Sequence, residues 1–533
     1  MTSPGYERAL RAMPWVLAAV LPACVLTGDY VMDANAAILR SECVTGAVSI
    51  AETLRRDFWC EPVPMEVRSW RPLPVLLWRM LFALGGGSAP AWCCHLLSLI
   101  AHAIVTALVM TSGRRLGLSE SAARWGGLCF AVLAIHTDLV SSMVGLGGLC
   151  SAALSLGAVV RFLGVRDRRP WITPLLVGLA ISSHESGVLA VALMLIVLGT
   201  HRRASSMNVQ RTRSVEVVTS MTVAGLMLAY RAHVIDGWST SDVPFDVNPL
   251  VHLALPDRIL DGLGLIGRYL TLAITGFPLA VDYAFDAIPL GAARDWSLTA
   301  LGAGYIGGCL GLAARFRRSP PTVVLALSAA GSALFVSNIV LALPAIFAER
   351  MFYLGSIPLC LGLGGLLARV HPRQAPWRLA LTVLAVSWLT VQAVSTVVHA
   401  WTWRDDLALY QRSAEAVPRN ARLRSWAANA AIRRGDPELA IHHAVSSLEI
   451  QPGEARPHAY LGVALDLTGR PEDALRSFRR AFELAPSDGE SVDLFIQFLR
   501  SYGHLEQARL IFERHRQARG GTADPLVQRP DSP

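Results

Sequence analysis

Two carboxylates, Asp29 and Asp33, sit just beyond the first hydrophobic segment, in the stretch Gly28-Asp29-Tyr30-Val31-Met32-Asp33-Ala34-Asn35. A carboxylate held at a membrane edge can take the proton of a hydroxyl acceptor, one requirement of group transfer to oxygen. Taken alone, two loop acids read first as solvated surface groups. Ionisable residues recur near membrane depth as His136 with Asp138 and His184 with Glu185, where such groups are functional candidates by default. Arg71 and Arg350 supply the complementary ingredient, because a guanidinium grips phosphate oxygens through two donors. Glu349 is placed to orient Arg350, and Arg71 also suits the ordinary role of snorkelling to lipid headgroups. His95 and His102 read as packing residues between helices, and no acid cluster dictates a metal site.

The elements that must position these residues are membrane helices. Hydrophobic residues make up 53% of the chain and charged residues 17%, against about 25% charged in an ordinary soluble domain. A soluble protein is excluded. Residues 10–398 are mostly apolar blocks, while 399–533 read as a charged helical tail. All 48 basic residues are arginine, a usage that suits a GC-rich bacterial coding sequence. The net charge of +8 lies in loops between spans and reads as topology, not as a nucleic-acid footprint. Cys24, Cys93, Cys94, Cys129, Cys150, Cys309 and Cys360 fall in apolar runs, as small hydrophobes do. Cys43 and Cys60 share the first outward loop, where an oxidising compartment allows pairing without requiring it.

A crossing helix needs about 20 apolar residues. Spans are expected at 10–27, 91–112, 122–142, 144–163, 214–231, 297–315, 322–343, 352–370 and 378–398. The apolar block 171–200 is interrupted by Ser182-Ser183-His184-Glu185-Ser186 and flanked by arginines at both ends. Two short helices meeting at a polar turn fit it better than one long helix, and such a turn needs a protein-lined cavity. Segment 258–281 carries Arg258, Asp261 and Arg268 and is expected to lie flat at the outer surface. The positive-inside rule then gives about eleven crossings with the C-terminus outside. The first outward loop spans 28–90, and a second one, with the interfacial helix, spans 232–296.

The tail repeats with a period of 34: Pro418, Pro452 and Pro486; Gly435, Gly469 and Gly503; Ala440, Ala474 and Ala508. A small residue at a helix crossing, a glycine at the turn and a proline closing the second helix form the tetratricopeptide pattern. Residues 399–517 are expected to form three such repeats, a short α-solenoid with a groove for extended peptide, or otherwise a ligand-free cap. Residues 518–533 read as disordered.

With these parts in order, the chain resembles the transmembrane and tetratricopeptide-repeat-containing protein O-mannosyltransferases, of the GT-C class, as a diverged bacterial member. Tyr30-Val31-Met32-Asp33-Ala34-Asn35-Ala36-Ala37-Ile38 is similar to the family's first-loop stretch. Asp57-Phe58-Trp59 and Ser69-Trp70-Arg71-Pro72-Leu73 resemble its "FWG" and "SYRPL" segments. Ile135-His136-Thr137-Asp138-Leu139-Val140 resembles "IHTEAV", Ser183-His184-Glu185-Ser186-Gly187 resembles "SKETG", and Ala348-Glu349-Arg350-Met351-Phe352-Tyr353-Leu354-Gly355-Ser356 resembles "AERxLYLPS". Three positions depart from the pattern: Ala34 replaces the second of two adjacent acids, His184 replaces a lysine, and Gly145-Leu146-Gly147-Gly148 replaces an arginine and an aspartate.

The resemblance implies an all-α polytopic membrane bundle of GT-C type over 1–398, ahead of the repeats. It implies transfer of a sugar, mannose in this family, from a polyprenyl or dolichyl phosphate to Ser or Thr hydroxyls of exported protein. The lipid-linked sugar is then the donor substrate, with no cofactor. Asp33 holds the position of the catalytic acid and is expected to act as base, with Asp29 as a partner if the loop start is helical. Arg350 and Arg71 are expected at the donor phosphate. The expected location is the cell (inner) membrane with the repeats on the extracytoplasmic side, presenting acceptor protein. Two alternatives stay open: a non-catalytic repeat scaffold of the envelope, and a glycosyltransferase acting on glycan or lipid.

Overall fold

The computed structural model describes residues 4–60, 69–164, 169–201, 207–237, 243, 245, 247–284, 286–369 and 376–519. Arg166, Arg168, Arg202, Arg203 and the tail beyond Arg519 lie outside the described residues. Every regular element among those described is helical, so the fold is all-α. It divides into two compact units, Met1–Val281 with Pro289–Asp405, and Asp282–Ile288 with Asp406–Pro533.

The first unit runs α1 (Pro4–Val20), α2 (Glu42–Thr45), α3 (Ile50–Thr53), α4 (Pro72–Leu84), α5 (Ala91–Arg115), α6 (Glu120–Val132), α7 (Thr137–Ser141) and α8 (Leu146–Gly164). It continues with α9 (Ile172–Ser183), α10 (Leu189–His201), α11 (Met207–Val234), α12 (Leu255–Thr275), α13 (Trp296–Arg315), α14 (Pro320–Val336), α15 (Tyr353–Leu367) and α16 (Pro376–Thr402). Among the described residues, six stretches are long and apolar enough to cross a membrane: 91–115, 146–164, 207–234, 296–315, 349–367 and 377–402. The block 171–200 does fold as two short helices, α9 and α10, joined by a 3-10 turn at Glu185–Val188.

Three expectations change shape. The segment 122–142 is not one helix: Leu133 turns extended after α6, and a 3-10 turn at Ala134–His136 leads into α7. That break frees backbone around His136 and Asp138. Within 28–90 an apolar helix, α4, opens with prolines at its first turn, where the missing N–H costs nothing. Within 258–281 the helix ends at Thr275: α12 has a buried inner face, including Leu265, Ile266, Tyr269 and Leu270, and packs along α13.

Glycines decide where helices touch. A Cβ on Gly364 of α15 would lie 2.4 Å from Ala122 O and from Gly126 N of α6. This is the small-residue contact that lets membrane helices approach closely. Gly147 does the same between α8 and the end of α9, where a Cβ would lie 2.8 Å from Ser183 O.

The second unit stacks α17 (Asp406–Ala416), α18 (Ala421–Arg433), α19 (Pro437–Ile450), α20 (Ala455–Leu467), α21 (Pro471–Leu484), α22 (Gly489–Ser501) and α23 (Leu505–Ala518). Gly435, Gly469 and Gly503 share a left-handed φ of 76–77° at the turns inside successive hairpins, the conformation glycine adopts without penalty. Ala440, Ala474 and Ala508 are buried at the crossings, and Pro418, Pro452 and Pro486 each follow a helix end. The 34-residue period therefore exists in three dimensions. Phe478 stacks on Phe495 in the core, with ring centroids 5.6 Å apart.

Candidate active site

Arg71 sits at the N-terminus of α4, immediately before Pro72, and Glu185 opens the turn between α9 and α10. The Arg71 Nε–H and Nη2–H donate to Glu185 Oε2 at 3.3 and 3.2 Å. Arg231, near the C-terminus of α11, donates through Nε to the other carboxylate oxygen at 3.3 Å. One carboxylate thus holds two guanidinium groups from separate helices. The three side chains are 22%, 24% and 16% exposed for Arg71, Glu185 and Arg231. His184 lies beside them, 3.6 Å from Glu185. Its Nδ1 accepts from the Ser186 N–H at 3.1 Å, so that nitrogen carries no proton and the contact is not an ion pair.

A second pair stands close by. Asp138 on α7 is buried and its Oδ2 accepts both the backbone N–H of Arg350, at 3.1 Å, and the Arg350 Nη1–H, at 3.3 Å. Arg350 itself is 39% exposed, so a buried acid anchors a guanidinium that reaches open space. His184 feels the charges of Arg71, Arg231 and Arg350, which puts both clusters in one neighbourhood. The carboxylate that meets Arg350 is Asp138. Glu349, fully buried, accepts the Ala280 N–H at 2.7 Å and approaches His399 at 4.0 Å.

His136 and Asp138, two positions apart in sequence, diverge in space. His136 Nε2 pairs with Ser356 Oγ at 2.8 Å, and His102 Nδ1 pairs with Tyr353 Oη at 2.7 Å. With Phe130 these rings form a buried cluster under α15. It fixes the first turn of α15 and so the Arg350 backbone.

Asp29 and Asp33 are both exposed. They are not stacked by a helical turn. Gly28 is extended, the Asp29 N–H donates to Arg404 O at 3.0 Å, and Met32 adopts a left-handed φ of 59°. The Asp29 carboxylate accepts the Tyr30 N–H at 2.8 Å. Ala34 is buried, so an acid at that position would face the core. His95 is buried with its ring near the backbone of Asp29 and of Ser141. Cys43 and Cys60 form a disulfide, and Arg79 Nη1 donates to Cys43 O and Val48 O inside the loop so closed.

Arg231 was missed from sequence. The signal that points to it is an arginine at the end of span 214–231 expected to face outward, against the positive-inside trend. Among the described residues, no group of three His, Cys, Asp or Glu is arranged to hold a metal ion.

No family model matches the chain. Its curated relatives are protein O-mannosyl-transferases. The mouse TMTC3 protein is 24% identical over 507 residues, covering 88% of this chain and 54% of that protein. The Drosophila melanogaster Tmtc2 protein is 30% identical over 287 residues, covering 51% of this chain and 30% of that protein. Human TMTC4 is 24% identical over 458 residues, covering 74% and 60%. The chain thus spans between 30% and 60% of the length of these relatives. Among solved structures, the apo oligosaccharyltransferase of Archaeoglobus fulgidus aligns over 79% of this chain with a TM-score of 0.42 and 14% identity.

Proposed function

We propose that the protein is a membrane glycosyltransferase that moves a sugar, mannose by the names of its relatives, from a polyprenyl or dolichyl phosphate to Ser or Thr hydroxyls of exported protein. The observation that carries this reading is the convergence of the Arg71 and Arg231 guanidinium groups on Glu185 in the polar turn, with a third guanidinium, Arg350, held by the buried Asp138. A departing lipid phosphate needs such donors, fixed before the reaction begins. In this reading Asp33 takes the proton of the acceptor hydroxyl, the acceptor oxygen attacks the anomeric carbon, and the sugar–phosphate bond breaks toward the arginines. Asp138, by anchoring Arg350, sets the direction of that donor. The repeat unit, on the extracytoplasmic side of the cell membrane, supplies acceptor polypeptide at raised local concentration.

The test is a transfer assay on the full chain in detergent or nanodiscs, with a panel of polyprenyl-phosphate sugars and a Ser/Thr-rich polypeptide. Sugar on the polypeptide, lost in Asp33→Asn, supports the reading. Equal labelling of lipid or glycan alone would replace the acceptor, and no transfer from any donor would leave a scaffold.

A further inference from the structure

Two aromatic–arginine dipeptides, Trp70-Arg71 and Tyr230-Arg231, meet as a matched pair. The Trp70 and Tyr230 rings pack edge to face with centroids 5.3 Å apart. Both polar ends, Trp70 Nε1–H and Tyr230 Oη–H, donate to the same Leu54 carbonyl, at 2.9 and 3.3 Å. Beyond the rings, both guanidinium groups converge on Glu185. The start of α4 and the end of α11 are therefore fixed to each other at two levels, and among the described residues Arg231 donates through its Nε–H alone.

Among the described residues the charges at Glu185 do not balance. Two guanidinium groups share one carboxylate, and His184 beside them presents an unprotonated Nδ1. A net positive charge in a half-buried site is costly unless a counterion completes it. A lipid-linked sugar phosphodiester brings one negative charge, whereas the monoester left after transfer brings up to two.

We infer that Arg231 is a third donor-phosphate residue and that Glu185 is a positioning residue which sets the site's charge to match a monoanionic lipid phosphodiester. This deepens the proposed function and rests on it for the donor's identity. Glu185 holds both arginines in register while cancelling one of them, so the donor is neutralised and the more highly charged product is left undercompensated, which favours its release.

The discriminating property is a sign. If Arg231 only braces Glu185, removing either member of the pair damages the site alike. If Arg231 binds phosphate, the two substitutions act in opposite directions. The experiment measures binding of a short polyprenyl monophosphate to the full-length protein in nanodiscs, with the polyprenyl alcohol, phosphatidylglycerol and inorganic phosphate as separate arms. Arg231→Gln, which keeps length and packing, is expected to weaken polyprenyl phosphate about 10- to 100-fold, the weight of a charge-assisted hydrogen bond. Arg231→Lys should stay within about threefold of the parent, since it keeps the charge, and Glu185→Gln should bind more tightly than the parent. Weakening by both Gln variants, or no change in Arg231→Gln, overturns the assignment, as does an equal response to phosphatidylglycerol or inorganic phosphate. Should Arg231→Gln fail to insert, the Lys and Glu185→Gln arms still decide the sign. Binding needs no turnover, so a failed transfer assay with this pattern intact would sink the enzymatic reading and leave the phosphate site standing.

Discussion

The backbone N–H of Asp29 donates to the carbonyl oxygen of Arg404 at 3.0 Å, joining the start of the first loop to the end of α16. Gly28 makes the approach possible, since a Cβ there would lie 3.1 Å from Arg404 Cα and from Trp403 O. The first loop and the exit of the last membrane helix therefore share one side of the bundle. A phosphatase reporter fused after Asp405 should be active outside the cell, and a cysteine at position 50 should be labelled from that same side. Labelling from opposite sides would contradict the hydrogen bond. Gly28→Val is expected to destabilise the first unit by about 1–3 kcal/mol through overpacking, read by thermal unfolding in detergent.

The Cys43–Cys60 bridge, with Cα atoms 5.8 Å apart, closes the pairing question that the sequence left open. Non-reducing peptide mapping should recover the two cysteines in one linked peptide. Cys60→Ser should cost about 2–4 kcal/mol, the usual loss for a short closed loop. Finding both thiols alkylated in the native protein would reject the bridge.

Much of this arrangement is legible in the chain, for reasons that differ by residue. Gly435, Gly469 and Gly503 announce their turns because only a left-handed position demands glycine at a fixed interval. Ser182 to Ser186 announce a turn because polar backbone at membrane depth must line a cavity. The break at Leu133 is not legible: 122–142 is apolar enough to span, and the unwinding follows from tertiary partners, with Thr396 Oγ1 bonding Val132 O and Gln392 Oε1 taking the Ala134 N–H. Asp138 as the partner of Arg350 is likewise a long-range fact, invisible to any local pattern. Helix α4 was hidden inside a loop because 13 residues are too few to register as a span.

The second unit contains a short strap, Asp282–Ile288, from between α12 and α13. Asp282 accepts from Arg422 Nη2 at 2.6 Å and from Asn420 Nδ2 at 2.9 Å. Burial alone would raise its carboxyl, but Arg422 and Asn420 outweigh that and hold it below the usual carboxylate range. A depressed acid stabilises the fold fully above its unfolded value, about 3.9, and the contribution fades as pH falls through the lower folded value. Asp282→Asn should therefore cost about 1–3 kcal/mol at pH 7, seen as faster hydrogen exchange in α18, and the gap to the parent should close as pH falls below the unfolded value of about 3.9 and through the lower folded value. A gap that persists in acid would mean the loss is steric.

Asp33 and Arg350 divide the proposed reaction between them. Asp33 is exposed at the loop while Arg350 reaches out from a buried acid, so one is accessible to an acceptor and the other is preset for an anion. Removing a general base costs about 10² to 10⁴ in rate; Asp33→Asn should fall in that range while polyprenyl phosphate still binds. Arg350→Ala should weaken that binding, and Asp138→Asn should do so less, because the guanidinium remains but loses its anchor. Asp29→Asn tests whether the loop acids act together. Its carboxylate already accepts the Tyr30 N–H and no helical turn stacks it over Asp33, so only a small loss is expected. A loss as large as that of Asp33→Asn would make Asp29 a working partner and require the loop to rearrange when substrate binds. Near-normal transfer by a correctly inserted Asp33→Asn protein would remove the base from Asp33 altogether and leave the arginine cluster as a binding site in search of its chemistry.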